Sequence, residues 1–382
     1  MSEVKWIENR PKAEKYTPVT AEDARAAARF WRGAPFYAPT PLRRLDRTAA
    51  ELGLGAAYLK DEGLRAPLGA FKLLGAGYAM ARALCGDGDL SWEKAAESGK
   101  KTVFYTATDG NHGRAAAYMA RAFGCRAVVL MPAGASRERF EAIASEGAAV
   151  TVEDANYDEC VRRARALADE NGGVLLQDTT LDNYEALPHE IMRGYAAIAA
   201  EVFEEMPEPP THIILQAGVG AFAGAMASAF TELWPGADIC FIVCEAAAAP
   251  CLMLSAAAGE RRIVTGALGT IMAGLACGEP CDIGLASLLS RARIFAALPD
   301  ACAAEAMRAL AAGGVVAGES GAAGMGLLRE AMLRPALAGL REAAGLNEHS
   351  RVLVFNTETA TDAANYRAIV GTSAGQATSF GV

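Results

Sequence analysis

Residues 102–132, TVFYTATDGNHGRAAAYMARAFGCRAVVLMP, contain the pattern from which the architecture of the chain can be predicted. Residues 102–108 form a short run rich in β-branched and aromatic side chains, which predicts a strand. Residues 111–124 place small and apolar side chains at helical spacing, and residues 127–132 predict a second strand. Because a strand, a helix and a strand follow one another, we expect two parallel strands joined by a crossover helix.

The same alternation runs through most of the chain from about residue 56. Apolar strands separated by helices predict parallel sheets that are covered on both faces. Ligands collect at the carboxyl ends of such strands, so the polar residues that directly follow a strand are the candidates for function. The further predicted strands are 58–62, 149–154, 173–180, 212–216, 240–245 and 351–357, and the further predicted helices are 71–84, 136–146, 156–170, 187–205 and 221–234.

The composition excludes several classes of protein. The chain has 382 residues, enough for two or three domains or for one large α/β unit with an inserted lobe. Hydrophobic residues make up 52% and charged residues 21%, which indicates a folded protein and excludes extended disorder. The 36 Lys and Arg against 45 Asp and Glu give a net charge of −9 without a basic block, so we expect no nucleic-acid partner.

The cysteines and the apolar segments indicate neither a metal centre nor a membrane span. No spacing among the nine cysteines is typical of a zinc or redox site, so we expect free thiols and no metal, although Cys277 and Cys281, with Cys251 upstream, could form a local disulfide. The N-terminal residues 1–16 are charged and lack an apolar stretch, so we expect a cytoplasmic protein. Residues 213–231 are uncharged and about long enough to cross a bilayer, but three internal glycines favour strand, turn and buried helix.

A turn places a lysine at the beginning of a predicted helix. Residues 66–72, Ala-Pro-Leu-Gly-Ala-Phe-Lys, precede an apolar helix that starts near Lys72. Most lysines in such a position are solvated surface residues. The alternative is an amine that the positive end of the helix dipole and partial burial keep unprotonated, so that it can form an imine. The local sequence leaves both interpretations open.

Short polar residues follow the predicted strand 102–108. Thr108, Asp109 and Asn111 could simply cap the next helix. Together with the small residues between them, they also form a surface that a planar ligand could approach closely. His112 has no partner in the sequence, and we expect it to pack within the helix rather than to act in catalysis.

A glycine turn follows the predicted strand HIILQ. Residues 216–223, Gln-Ala-Gly-Val-Gly-Ala-Phe-Ala, leave bare amides at a helix N-terminus, which suits a phosphate group. Gly218, Gly220 and Ala223 also match the GxGxxA fingerprint of dinucleotide-binding proteins, and the next strand ends in an acid at Glu245. That fingerprint normally begins the first unit of its domain, whereas several strands and helices precede it here.

Carboxylates and hydroxyls are expected at three further strand ends. These groups are Gln-Asp-Thr-Thr at 177–180, which contains Asp178, Gly-Glu-Ser-Gly at 318–321 and Asn-Thr-Glu-Thr at 356–359. Each alone has a capping or turn explanation. Several polar loops gathered at one sheet edge nevertheless predict a functional site.

Four motifs resemble the pyridoxal 5′-phosphate (PLP) enzymes of fold type II: in chain order, APLGAFKLLGA, TATDGNHGRAAA, QAGVGAFAGA and VFNTETATD. The resemblance covers about residues 35–370. Asp109 in the TDGNHG turn, with the motifs QDTTLDNYE and TIMAGLACGEP, is most similar to the diaminopropionate ammonia-lyase subgroup. The resemblance implies an α/β fold like that of the tryptophan synthase β chain, with two parallel-sheet α/β domains and the active site between them.

The resemblance also implies roles for individual residues. Lys72 would form the imine with PLP, and Asn111 would hydrogen-bond the 3′-oxygen of its ring. Thr357 would face the pyridine nitrogen with a neutral hydroxyl, which favours elimination over transamination. Thr359 stands where the subgroup pattern has glycine, which leaves the contact at the ring nitrogen open. The phosphate would bind Gly218, Val219, Gly220, Ala221 and Phe222.

The implied reaction is the α,β-elimination of 2,3-diaminopropionate, as the D isomer, the L isomer or both, to pyruvate and two ammonia. Lys72 would act as base on one face of the cofactor and Asp109 as acid or base on the other, with Asp178 orienting or deprotonating the amino group. A serine or threonine dehydratase of the same fold is the first alternative. A dinucleotide-binding dehydrogenase that uses the glycine turn and Glu245 is the second.

The resemblance further implies how the chain is divided and assembled. We expect a large PLP-binding domain over 1–84 and 171–382, and a small mobile domain over 85–170 that closes over a small amino-acid substrate. We also expect a homodimer.

Overall fold

The computed structural model describes residues 3–11, 14–86, 88–99, 101–108, 110–179 and 184–377. The strands within these ranges are β1 (Lys5–Glu8), β2 (Leu42–Arg44), β3 (Ala56–Asp61), β4 (Val103–Ala107), β5 (Arg126–Met131), β6 (Ala149–Val152), β7 (Val174–Leu175), β8 (His212–Gln216), β9 (Cys240–Ala246), β10 (Ala292–Leu298) and β11 (Arg351–Asn356). The α-helices within them are α1 (Ala21–Arg32), α2 (Asp46–Leu52), α3 (Lys72–Cys85), α4 (Trp92–Ser98), α5 (Asn111–Ala122), α6 (Arg137–Ala144), α7 (Tyr157–Glu170), α8 (Ala186–Glu205), α9 (Ala221–Leu233), α10 (Cys251–Ala258), α11 (Asp282–Leu289), α12 (Asp300–Ala312), α13 (Glu319–Leu333), α14 (Ala338–Ala344), α15 (Ala363–Val370) and α16 (Ala374–Ala377).

The predicted alternation of strands and helices is confirmed. Apart from one strand, the predicted elements end within one or two residues of the observed ones. The exception is β7, which stops at Leu175 although a strand was predicted over 173–180. The segment 213–231 is divided between β8 and α9, as predicted. Among the described residues, no helix combines the length and the apolar character that are needed to cross a bilayer.

The first of two compact units contains the described residues of Met1–Ala21, Pro39–Phe71 and Ile198–Val382. Its sheet has seven strands in the order β1-β10-β9-β8-β11-β3-β2. The central strands are parallel, as predicted, whereas β1 and β2 pair antiparallel at the two edges. An apolar core lies between this sheet and helices α12, α13 and α14.

The second compact unit contains the described residues of Glu22–Ala38 and Lys72–Ala197. Its sheet has four parallel strands in the order β6-β5-β4-β7. The unit includes the predicted small domain, 85–170, and extends beyond it at both ends. That a small domain closes over the substrate stays a prediction.

A close crossing with α8 fixes helix α3, which begins at Lys72. A Cβ atom at Gly194 would lie 2.4 Å from the carbonyl oxygen of Leu74, 2.7 Å from Cβ of Tyr78 and 2.9 Å from Cα of Gly75. Real Cβ atoms essentially never approach other atoms so closely. The two helix backbones therefore touch at this point, and only glycine fits at position 194.

We expect Gly194→Ala to lower the free energy of unfolding by about 1–3 kcal/mol, because the carbonyl of Leu74 cannot move aside as a flexible side chain can. Urea denaturation monitored by circular dichroism measures this. Gly339→Ala in α14 is the control, since its added Cβ would lie 3.4 Å from Trp6, an ordinary contact. Alanine has the higher helix propensity, so the control should be unchanged or slightly stabilised. Equal losses in both variants would contradict the close crossing.

Candidate active site

The turn that precedes Lys72 is held by main-chain hydrogen bonds to the residues after β11. Phe71 N donates to Thr357 O (3.2 Å), and Thr359 N donates to Gly69 O (2.8 Å). Between them, Ala70 forms an antiparallel bridge with residue 358. Residues 69–71 are thus paired, like a short antiparallel strand, with the residues that directly follow the central strand β11.

Gly69 is required in this turn for two reasons. Its φ angle is +67°, which L side chains rarely adopt. A Cβ at this position would also lie 2.7 Å from Cγ2 of Thr359. Thr359, the residue that departs from the expected pattern, therefore places its methyl group against the bare backbone of Gly69.

The glycine turn lies between β8 and α9, as predicted. A Cβ at Gly218 would lie 2.9 Å from Sγ of Cys277 and 3.0 Å from the carbonyl oxygen of Gly274. Gly220 is the N-cap of α9 and has a φ angle of +95°. The first N–H groups of a helix have no acceptor within the helix, and its dipole favours an anion there. The turn is therefore suited to a phosphate group, which is the predicted role of residues 218–222.

Two aromatic rings connect the lysine turn to this helix within the first unit. The ring of Phe71 lies 4.6 Å, centre to centre, from the ring of Phe222, at an angle of 55°. Phe222 is buried in the first turn of α9. The residue directly before Lys72 is therefore packed on the helix that begins with the glycine turn.

Thr357 is buried directly after β11. Its Oγ1 accepts a hydrogen bond from Nε2 of Gln216 (3.3 Å), which also donates to the carbonyl oxygen of Phe355 (2.9 Å). Since Oγ1 acts as acceptor towards Gln216, the Thr357 hydroxyl proton remains available for a further acceptor. A pyridine nitrogen without a proton is such an acceptor.

The residues 318–321 do not follow a strand, so this part of the prediction is wrong. They begin helix α13, with Gly318 as its N-cap, after a segment that is not paired in a sheet. Oγ of Ser320 accepts from Gly274 N (3.0 Å), and Ser320 N donates to Oε1 of Glu358 (3.2 Å). Ser320 therefore connects the beginning of α13 to Gly274, whose carbonyl oxygen lies against Gly218, and to Glu358, which follows Thr357.

In the second unit, Lys72 forms an ion pair with Asp178 through its Nζ and the carboxylate Oδ2. The side chain of Lys72 is 20% exposed and that of Asp178 is 8% exposed. Burial alone would raise the pKa of Asp178, but the charge and the hydrogen bond of Lys72, together with smaller contributions from His112 and a backbone N–H, outweigh it and hold this pKa at about 2. Asp178 is therefore a buried carboxylate that is ionised at neutral pH.

His112 is buried in the first turn of α5, as predicted, and it has a specific partner. Its Nε2 lies 3.0 Å from the carbonyl oxygen of Leu176. Because a carbonyl can only accept, Nε2 carries the proton, and Nδ1 has no hydrogen-bond partner among the described residues. Burial lowers the pKa of His112 although the Asp178 carboxylate opposes this. His112 is therefore a neutral side chain that anchors the segment leading to Asp178.

Two other predicted residues, Asn111 and Thr108, lie at the turn after β4. Asn111 is the first residue of α5 and is half-buried, with Gly110 as the N-cap. Oγ1 of Thr108 accepts from Gly110 N (3.1 Å) and so stabilises the turn rather than capping the helix. Asp109 and Thr180 lie outside the described residues.

The structure does not support a dinucleotide site at the glycine turn, because Glu245, the acidic residue of that fingerprint, is hydrogen-bonded to a helix N-terminus. Glu245 is buried at the end of β9, and its carboxylate accepts from the N–H groups of Leu252 and Met253, both at 2.7 Å. Burial raises the pKa of Glu245 to about 8. The carboxylate therefore caps α10 and has no access to a ribose.

The nine cysteines are present as free thiols, and the local disulfide that the sequence left open is absent. Within the described ranges, no group of three or more His, Cys, Asp and Glu side chains could hold a metal ion.

Two buried amides, Gln177 and Gln216, had no individual role assigned from the sequence. Each lies at or just after the end of an apolar strand and is the first residue of a segment that was singled out, 177–180 in one case and 216–223 in the other. A glutamine in that position of an otherwise apolar run is a signal that could have found them.

Comparison with known proteins agrees with this arrangement. The model of the family described as pyridoxal-phosphate dependent enzyme matches residues 34–358. The diaminopropionate ammonia-lyase of Escherichia coli (strain K12) is 40% identical over 361 residues, which are 91% of this chain and 91% of that protein. The diaminopropionate ammonia-lyase of Salmonella typhimurium (strain LT2) is 42% identical over 363 residues, which are 89% of this chain and 90% of that protein.

A solved structure has the same fold. The crystal structure of the Escherichia coli diaminopropionate ammonia lyase in complex with an aminoacrylate-PLP azomethine reaction intermediate has a TM-score of 0.89 at 38% identity, and the match covers 96% of this chain and 97% of that chain. The match to the family model extends over most of the chain and includes Lys72, the glycine turn and Thr357. The chain therefore belongs to the family of pyridoxal-phosphate dependent enzymes.

Proposed function

We propose that this chain is a PLP-dependent lyase that converts 2,3-diaminopropionate into pyruvate and two molecules of ammonia. The observation that carries the proposal is the buried carboxylate of Asp178 beside the amine of Lys72. A diamino substrate has a second ammonium group for which a carboxylate is the natural partner, whereas serine and threonine have none. The names of the relatives, diaminopropionate ammonia-lyase, support the same substrate.

The residues present fit the cofactor. The glycine turn forms the N-terminus of α9, where the helix dipole and the first N–H groups suit an anion, and Lys72 supplies an amine at the beginning of α3. When bound, PLP withdraws electrons from the α-carbon of the substrate and so acidifies its Cα–H bond. In this proposal the amine of Lys72 holds the aldehyde, residues 218–222 hold the phosphate, Asn111 holds the 3′-oxygen and Thr357 holds the ring nitrogen.

Thr357 sets the protonation state at the ring nitrogen. Its hydroxyl accepts from Gln216 and is left with one proton to donate. A neutral hydroxyl, unlike a carboxylate, does not hold a proton on the pyridine nitrogen. Thr357 in this role favours elimination over transamination.

Substrate binding and proton transfer are assigned to three side chains, those of Asp178, Lys72 and Asp109. The ionised carboxylate of Asp178 orients the substrate amino group or takes a proton from it. Lys72 Nζ removes the α-proton from one face, and the carboxylate of Asp109 acts from the other. Two bases on opposite faces would allow both the D and the L isomer to react.

The assembly and the cellular location are further proposals. We propose a homodimer, which follows from the resemblance and which sedimentation equilibrium can distinguish from a monomer. We propose a cytoplasmic location, which the free thiols support because a reducing compartment keeps cysteines unpaired, and which cell fractionation can test.

The substrate is tested by incubating the enzyme separately with D- and L-2,3-diaminopropionate, L-serine and L-threonine. We expect two ammonia for each pyruvate from the diamino acid, measured by coupled enzymatic assays. We also expect a kcat/KM at least about 10²-fold above that for serine, because an ammonium group fills a site that serine leaves unpaired. If L-serine or L-threonine is the better substrate, with one ammonia for each keto acid, the dehydratase alternative is correct.

We expect Asp109→Asn to lower turnover of the D isomer by about 10²–10⁴-fold, which is the usual cost of removing a proton-transfer group. Turnover of the L isomer, for which Lys72 is the proposed base, should change much less. Initial rates with the two isomers measure the difference, and Asp154→Asn, at an exposed position of the same unit, is the control. Equal losses for both isomers would contradict the assignment of Asp109.

The ion pair predicts how stability depends on pH in the cofactor-free protein. The pKa of Asp178 is depressed to about 2 in the folded protein. Ionised Asp178 therefore stabilises the folded state at pH values above the ordinary pKa of an aspartate, and this contribution is lost as the pH falls towards 2. Lys72→Met removes the charge that opposes burial, so the pKa of Asp178 should rise above its ordinary value. The variant should be less stable by about 1–3 kcal/mol at neutral pH, and the difference should shrink as the pH is lowered to about 4.

Urea unfolding of both cofactor-free proteins between about pH 7 and pH 4 measures this difference. In an Asp178→Asn background, Lys72→Met should show no such pH dependence. A difference that is the same at every pH in the wild-type background would show that the two side chains are not electrostatically coupled.

A further inference from the structure

Strand β7 ends at Leu175 because, two residues later, the side chain of Gln177 replaces the main chain in hydrogen bonding to strand β4. After Leu175, one more main-chain bond follows, from Leu176 N to Tyr105 O (2.7 Å). At the next residue, the side chain of Gln177 pairs with strand β4. Its Oε1 accepts from Ala107 N (3.2 Å), and its Nε2 donates to Ala107 O (3.1 Å). The amide thus satisfies both backbone groups of Ala107, in the reciprocal manner of an antiparallel pair, although the main chains of β4 and β7 run parallel.

The remaining hydrogen-bonding capacity of the Gln177 amide is also used. Oε1 accepts from Oγ1 of Thr106 (3.0 Å), and Nε2 donates to the hydroxyl of Tyr157 (2.6 Å). Gln177 is fully buried. A side-chain amide has two N–H donors and two acceptor sites, so every one is occupied. Since Ala107 N can only donate and Ala107 O can only accept, the orientation of the amide is fixed.

The backbone around Gln177 is anchored on both sides. Gln177 N donates to the hydroxyl of Tyr184 (3.0 Å), which in turn donates to the carbonyl oxygen of Leu175 (2.8 Å). His112 holds the carbonyl oxygen of Leu176. The next residue in the chain is Asp178. The segment that carries this carboxylate is therefore fastened to β4 and α5 immediately before the carboxylate itself.

We propose that Gln177 is a positioning residue that holds the Asp178 carboxylate against the Lys72 amine by replacing the backbone in the strand pairing. The inference rests on the proposed function, in which Asp178 meets the amino group of the substrate. Because the main chain of residue 177 is released from the ladder, Asp178 leaves the sheet at this point. A shift of about 1 Å in such a carboxylate is enough to lower a rate by about 10²-fold.

Gln177→Met, which keeps the length of the side chain but none of its hydrogen bonds, tests this proposal in the holoenzyme. We expect kcat for 2,3-diaminopropionate to fall by about 10–100-fold. If Gln177 acts through Asp178, the double variant Gln177→Met/Asp178→Asn should be no slower than Asp178→Asn alone, within about threefold. A loss equal to the product of the two single losses would overturn the proposal, because it would show a role independent of Asp178.

A second measurement does not depend on the activity of the enzyme. In the cofactor-free full chain, the carboxylate stabilises the protonated amine of Lys72, which does not attack an acylating reagent. Gln177→Met should therefore raise the rate of Lys72 acetylation several-fold, measured by peptide mass spectrometry against the other lysines of the same sample. An unchanged rate would overturn the proposal even if kcat falls.

Two further variants keep the test valid. Ser136→Ala removes the N-cap of α6, an exposed position in the same unit, and controls for general loosening. If Gln177→Met does not fold, Tyr157→Phe removes the bond to Nε2, keeps the other three bonds of the Gln177 amide and should change both readouts in the same direction by about three- to tenfold. If both readouts stay at the Ser136→Ala level, Gln177 does not position Asp178. If the wild-type enzyme does not turn over 2,3-diaminopropionate while the acetylation rate changes as expected, the proposed function fails and the positioning role stands.

Discussion

Main-chain pairing between the turn before Lys72 and the residues after β11 is the constraint on which the candidate site depends. Strand β11 lies in the middle of the seven-stranded sheet, between β8 and β3. Residues 69–71 pair with residues 357–359 and so share the rigidity of that strand. Because the bonds are between backbone atoms, they require no particular side chain except at Gly69, where the conformation and the nearby Thr359 methyl group exclude one.

Buried glutamines serve a related purpose in each unit. In the first unit, Gln216 connects the end of β8 to Phe355 and Thr357 at the end of β11. In the second unit, Gln177 continues the pairing of β7 with β4. At a strand end the regular ladder stops, and its exposed N–H and C=O groups need new partners. A side-chain amide can supply such partners: the Gln177 amide bonds both backbone groups of Ala107, and Nε2 of Gln216 donates to the carbonyl oxygen of Phe355.

The sequence predicted the elements whose pattern is local. The parallel strands and their crossover helices follow from alternating apolar and amphipathic runs, and the resemblance located Lys72, Asp178 and the glycine turn. The edge strands β1 and β2 were missed because each is short and pairs antiparallel with a strand that does not directly follow it. Strand β1 pairs with the distant β10, and β2 pairs with β3, which comes after helix α2. Strand β10 is apolar and buried, but it lies in an Ala-rich region where strand and helix cannot be distinguished by periodicity.

The partners of the site residues could not be predicted, because they depend on tertiary contacts. No pattern shows that Glu245 caps α10 or that His112 bonds the carbonyl oxygen of Leu176. The length of β7 was wrong for the same reason, since a glutamine side chain replaced the main chain at residue 177. The family pattern therefore points to the proposed reacting groups, and the structure shows which contacts hold those residues.

The burial of Asp178 has a consequence for charge balance during turnover. Its counter-ion is the amine of Lys72, and under the proposed assignment that amine becomes committed to the cofactor. A buried anion without a cation is costly. A substrate with a second amino group brings its own cation and restores neutrality, whereas a hydroxyl group leaves the anion uncompensated. Discrimination between diamino and hydroxy amino acids would then be a matter of counter-ion exchange rather than of shape.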